Sequence, residues 1–204
     1  MTIIILISLL LLANTTTQQQ KTAIAQTTTT KEHDFLTYEN YTYAIRIQYP
    51  SDWERLEFNQ RGNSVNVVVI FRSPPENSSD TKLENLLIQV GNLPFENIPL
   101  DEVISANINN LKQSLIDFEL IELNATTLSG NNPAYKVIYT NSEGEDKHKT
   151  MQILSIKEDK AYLLTYSAEK RKYSDYLPTI EKMIDSFEIV TYNGDALNVK
   201  RVYN

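Results

Sequence analysis

His33 and His148 are the chain's two imidazoles, and both stand among acids: Glu32 and Asp34 flank the first, and Glu145, Asp146 and Lys147 precede the second. A zinc centre or a metalloprotease needs histidines at hairpin or helix spacing, and neither residue has such a neighbour. No His-Glu-x-x-His and no EF-hand loop occurs. Both histidines are therefore read as structural or solvated. The acidic turn Glu143, Glu145 and Asp146 could touch a divalent ion weakly, but a hard cation wants about six or more oxygens and three carboxylates supply too few. A serine or threonine nucleophile needs a base within hydrogen-bond reach. Only His148 could serve, and no Gly-x-Ser-x-Gly elbow accompanies it. Five glycines, none at phosphate-loop spacing, leave no P-loop. Glu119 and Glu122 make a carboxylate pair of the kind any acidic chain contains. No catalytic, cofactor-binding or metal-ligating residue is assigned, and the chain reads as a non-enzyme.

The remaining side chains with chemical potential are asparagines. Asn40, Asn77 and Asn124 each begin an Asn-x-Ser/Thr acceptor, which matters only if the chain reaches a glycosylating compartment. Asn77, in a Pro-flanked loop, is the strongest candidate, and Asn124 falls within a strand pattern. The absence of cysteine excludes disulfides, thiol chemistry, thiolate-bound metal and bacterial-type lipid attachment. A formal net charge of −7 repels nucleic-acid phosphates at long range. The basic triplet Lys170, Arg171 and Lys172 is expected to solvate the start of a helix.

An address can be read from the N-terminus. Residues 3–13 form an apolar run interrupted only by Ser8, too short for a span of about 20 residues but suited to a secretory signal, with Ala23-Ile24-Ala25 as a small-residue cleavage pattern. The expected organisation is a signal or N-terminal membrane segment over 1–25, a Thr-rich tether over 26–34, a folded domain over 35–190 and a tail over 191–204. The Thr and Gln runs bury too little apolar surface to fold. The domain is thus expected outside the cell membrane, touching lipid only through its N-terminal segment.

The elements that must position these residues follow from periodicity. Tyr43, Ile45, Ile47 and Tyr49 alternate with polar or small residues as a strand, which Pro50, Ser51 and Asp52 end. Trp53, the single tryptophan, is read as the structural anchor of the core. Residues 65–71 read as a central strand apolar on both faces, and 86–90 as another. Leu100, Val103, Ile104, Ile108, Leu111, Leu115 and Ile116 share one face of a helix over 100–116, with Asp101 and Glu102 suiting its N-terminal dipole. A strand over 118–128, a turn at 130–132 and three strands in meander then follow, with turns near 141–146 and 158–159. Ser174 is expected to cap a last helix, with Pro178 in its first turn. Both faces of the 160–168 strand are apolar, which calls for layers on both sides of the sheet.

Four pieces in this order, Tyr-Pro-Ser-Asp-Trp at 49–53, Ser-Gly-Asn-Asn-Pro-Ala-Tyr-Lys-Val-Ile-Tyr at 129–139, Ala-Tyr-Leu-Leu-Thr-Tyr-Ser-Ala at 161–168 and Asp-Ser-Phe at 185–187, resemble the PsbP-like family. The resemblance implies an α+β fold, an α/β/α sandwich around a central antiparallel sheet with helices on both faces. It also implies an extracytoplasmic address. Photosynthetic members are extrinsic photosystem II proteins that aid calcium and chloride retention, so calcium enters by resemblance alone and no ligand residue is carried over. The function expected is a secreted or surface-tethered, non-enzymatic protein-binding or assembly module. Its partner would be an extracytoplasmic or membrane-complex protein. The alternative is a small-ligand or divalent-ion carrier. Regulation of a cytosolic GTPase, as in a distant eukaryotic sharer of the fold, conflicts with the export segment.

Overall fold

A computed structural model describes residues 34–58, 65–80, 82–95 and 97–191. The expected signal, nearly all of the tether including His33, the turn at 61–63 and the tail past residue 191 lie outside the described residues.

Ten strands and two α-helices form the described part. In chain order they are β1 Phe35–Asn40, β2 Ile45–Pro50, β3 Glu54–Glu57, β4 Val65–Arg72, β5 Asn85–Asn92, α1 Leu100–Ser114, β6 Ile116–Leu128, β7 Asn132–Glu143, β8 Asp146–Lys157, β9 Lys160–Glu169, α2 Tyr173–Asp185 and β10 Glu188–Ile189. Seven strands make the main antiparallel sheet in the order β3-β4-β5-β9-β8-β7-β6. The expected α+β sandwich with helices on both faces is what the chain adopts.

Strand alternation sorts side chains to two cores. Tyr162, Leu164 and Tyr166 of β9 enter the larger one, between the sheet, α2 and the β1–β2 hairpin. Leu163 points the other way, toward a smaller core where Ile104 and Ile108 of α1 meet Val137, Tyr139 and Leu154. Trp53 is 5% exposed in the larger core, its ring edge-on to Tyr176 at 6.3 Å. Phe71 stacks on Tyr49 at 4.6 Å and meets Tyr38 edge-on at 5.8 Å, geometries that aromatic quadrupoles favour.

Several expectations are corrected. The continuous alternation through Tyr43 hides a turn: residues 41–44 link β1 to β2, with Ala44 at φ 54° and the Tyr43 N–H donating to Asn40 Oδ1 at 3.2 Å. Asparagine's short acceptor closes that turn and overrides the β propensity of Tyr-Thr-Tyr. A second sheet, in the order β1-β2-β10, therefore stands apart from the main one. Central strand β4 is not simply two-faced, because a register shift between Val67 and Val69 sends consecutive Val68 and Val69 into the same core. Ser174 does not cap α2. The helix begins at Tyr173 after Lys172, without a side-chain cap, and Pro178 lies inside it rather than in its first turn. The cause is tertiary: Tyr173 is buried and its carbonyl accepts the Tyr166 hydroxyl at 2.8 Å, which fixes the helix start upstream.

Candidate functional site

The basic triplet does not merely solvate a helix. Lys172 is 6% exposed, because the loop segment carrying Glu76 and Asp80, and Glu84 beyond it, fold over it. Its Nζ lies 3.2 Å from Glu76 Oε2, 3.1 Å from Asp80 Oδ2 and 3.7 Å from Glu84 Oε1. Glu84 is fully buried and accepts from Ser73 Oγ at 3.2 Å, while Tyr176 Oη donates to Glu76 Oε1 at 3.1 Å. Burial pulls the Lys172 pKa down, but hydrogen bonds to Asp80 and Glu76 and the field of Glu84 outweigh it and hold it above the usual lysine range. The Glu76 N–H and then the Lys172 ammonium keep the Asp80 carboxyl below its ordinary value. Both shifts favour the charged forms of Lys172 and Asp80, and the cluster pins the loop to α2. Its sequence signal was the four-residue spacing of Glu76, Asp80 and Glu84; nothing local marked their cation, Lys172, which lies 92 residues past Asp80.

The acidic turn is similarly occupied. Gly144, at φ 63°, supplies the left-handed conformation the β7–β8 hairpin needs. Asp146 is paired with Lys82, whose hydrogen bond and charge lower the carboxyl's pKa. His148 Nε2 lies 3.6 Å from Glu143 Oε2. Among the described residues no group of three or more His, Cys, Asp or Glu converges on a metal position, so the donors at this turn do not fit the calcium that resemblance suggested. Glu122 of the sequence-read carboxylate pair is bound by Lys136 at 2.8 Å.

The three acceptor asparagines sit in different settings. Asn40 is committed to its turn, with Nδ2 donating to Tyr38 Oη at 3.0 Å. Asn77 is exposed in the pinned loop, its Oδ1 accepting from the Ser79 N–H at 2.9 Å. Asn124 is exposed on β6, donating to Glu122 at 2.9 Å. A groove of about 330 Å³ between α2 and the sheet has Met151 and Ile153 in its apolar floor.

Apolar side chains also reach solvent at three places, one of them Leu36 of β1. Phe95, 75% exposed, lies between Pro94 and Pro99, whose rings fix their own backbone torsion, and two residues beyond Leu93, whose N–H donates to the Asp159 carbonyl at 2.8 Å. Along edge strand β6, Ile116, Leu120, Ile121 and Leu123 are 68%, 37%, 52% and 41% exposed.

Comparison with solved structures places this architecture among known ones. The solution structure of cyanobacterial PsbP (CyanoP) from a Synechocystis species superposes with a TM-score of 0.56 at 16% identity, covering 76% of this chain and 92% of that one. LpqN of Mycobacterium tuberculosis, described as involved in cell envelope biogenesis, gives 0.57 at 14%, covering 78% and 92%. The Ran-binding protein Mog1p of Saccharomyces cerevisiae gives 0.51 at 8%, covering 78% and 96%. At such identities the likeness is one of fold. No curated protein matches the chain. A family model described as PsbP-like protein, however, matches residues 1–189, reaching from the N-terminus to the end of β10, and on that match the chain belongs to the PsbP-like protein family.

Proposed function

We propose that this protein is an extracytoplasmic assembly module that binds another protein, part of an envelope or membrane complex, through the Phe95 loop. PsbP-like proteins are non-catalytic structural and binding proteins, and the family match is the observation that carries the reading. The Phe95 surface is where we assign it. A ring 75% exposed on a loop flanked by two prolines and a backbone hydrogen bond is a preorganised apolar anchor, the kind of residue that dominates binding when a partner's pocket covers it. The apolar run of residues 3–13 supports the address. Calcium and chloride retention is not part of the proposal, since Asp146 of the acidic turn is already paired with Lys82.

The test is affinity capture from envelope fractions of the source organism with wild-type protein and Phe95→Ala side by side. A partner held by the wild type and lost or at least tenfold weakened with Phe95→Ala, on the order of 1.4 kcal/mol or more, supports the reading. Equal capture by both proteins overturns the assignment to this loop. Reproducible capture of nothing overturns the binding role. The three acceptor asparagines remain candidates for glycosylation, checked by intact mass against the bare polypeptide.

A further inference from the structure

The two edges of the main sheet are built differently. At one end β3 is four residues long and reads Glu-Arg-Leu-Glu, the short, charged form that discourages pairing with another chain. At the other end β6 runs for thirteen residues, bonded to β7 on one side and to no strand on the other among the described residues. Its first half is disrupted: register shifts fall between Ile116 and Glu119 and between Leu120 and Glu122, and Asp117, Glu119 and Glu122 all lie there. From Glu122 to Leu128 the ladder with β7 is unbroken, Glu122 opposite Ile138 through Leu128 opposite Asn132. After Glu122 that stretch is neutral, and its side chains are exposed from Leu123 to Thr127.

From this geometry we infer that residues 122–128 of β6 pair antiparallel with the same residues of a second copy, about a two-fold axis through Ala125, joining two main sheets into one. Charge and pattern select this occupant and this register. With Ala125 opposite Ala125, Asn124 meets Thr126, Leu123 meets Thr127 and Glu122 meets Leu128, so no acid faces an acid. The two Glu122 carboxylates stand about 20 Å apart along the strands at roughly 3.3 Å per residue, more than twice the Debye length of about 8 Å at physiological salt. Sheet faces also match. Leu123 and Thr127 both lie on the α1 side, since Leu123 is opposite Val137 of the α1 core and the unbroken ladder preserves the alternation. The residues at the axis are small, which lets the backbones approach. Leu120 and Ile121 extend past the paired stretch toward the one-turn 3-10 helix Ser129–Asn131 of the second copy, which would cover part of their exposed surface. The pairing uses a surface separate from the Phe95 loop and does not depend on it.

Sedimentation equilibrium on the full chain from a non-glycosylating host, from low micromolar to near-millimolar concentration, tests this. A glycan on Asn124 would stand against Thr126 of the second copy and prevent pairing. The expected result is a mass that climbs toward that of two chains. Ala125→Arg, at an exposed position, sets like charges face to face and should hold the protein at monomer mass with an unchanged melting curve. Mixing Ala125→Arg with Ala125→Glu should restore the dimer as a heterodimer, which only this register allows. Monomer mass at every concentration overturns the inference. So does a dimer untouched by Ala125→Arg, or a mixture that fails to recover.

Discussion

Lys172 and Trp53 carry more of the structure than their neighbours in sequence suggest. Replacing Lys172 by Met keeps the apolar stem but leaves Glu84 and its partners without a counter-charge, and breaking a buried ion pair from one side costs about 3 kcal/mol or more. Urea denaturation should show that loss, and adding Glu84→Gln to Lys172→Met should recover part of it, because the two residues share one network. If Lys172→Met unfolds at the wild-type midpoint, the cluster is a surface feature only. Trp53→Ala should cost about 3–5 kcal/mol, since it removes a buried aromatic and leaves a cavity beside Tyr176. A Tm within a degree or so of wild type would refute its role as anchor. The indole was conspicuous in sequence by being single. Lys172 was not, because a lysine's burial is decided by groups that chain order places far away, here Glu76, Asp80 and Glu84.

Among the elements, those with strong local periodicity were legible. The β7–β8–β9 meander appears where alternation puts it, and α1 where helical spacing does, except that the helix stops at Ser114 and Ile116, expected on its apolar stripe, instead opens β6 and is 68% exposed. Hidden from sequence were the features that tertiary contacts impose: the Asn40-closed turn inside an apparently continuous strand, the β4 bulge and the early start of α2. Pro178 follows from the last. Lying inside α2, it offers no N–H to the Ser174 carbonyl, so Pro178→Ala should stabilise the protein by about 1 kcal/mol, measurable as a raised denaturation midpoint. An unchanged or lowered midpoint would mean the ring's packing or its restriction of the unfolded chain is worth as much as the missing bond. The helices should also differ in protection. α1 buries only Ile104 and Ile108, whereas α2 buries Tyr173, Ile180 and Met183. Hydrogen exchange should therefore open α1 first; slower exchange in α1 than in α2 would contradict the two-core description.

For the whole molecule, the titrating ion pairs set a pH window. The carboxyls of Asp80, Glu122 and Asp146 are held below their ordinary values. Their stabilisation is present above the unfolded carboxylate range and is lost as pH falls through the folded values, so stability should drop below about pH 4. Lys172 is raised. Its share is complete below the unfolded lysine value of about 10.4 and disappears only as pH rises through the higher folded one. A flat plateau of denaturation midpoints between these limits is expected, and a transition near neutrality would point to a titrating group other than these. The strand that finishes the β1-β2-β10 sheet is the last one in the described chain: Ile189 pairs with Ile45, and the Val190 N–H donates to the Ala44 carbonyl at 2.8 Å. Every other described strand must have been synthesised before that sheet can close, so until β10 emerges the nascent chain lacks its complete described fold. An unclosed chain is also the form that can be threaded through a narrow pore.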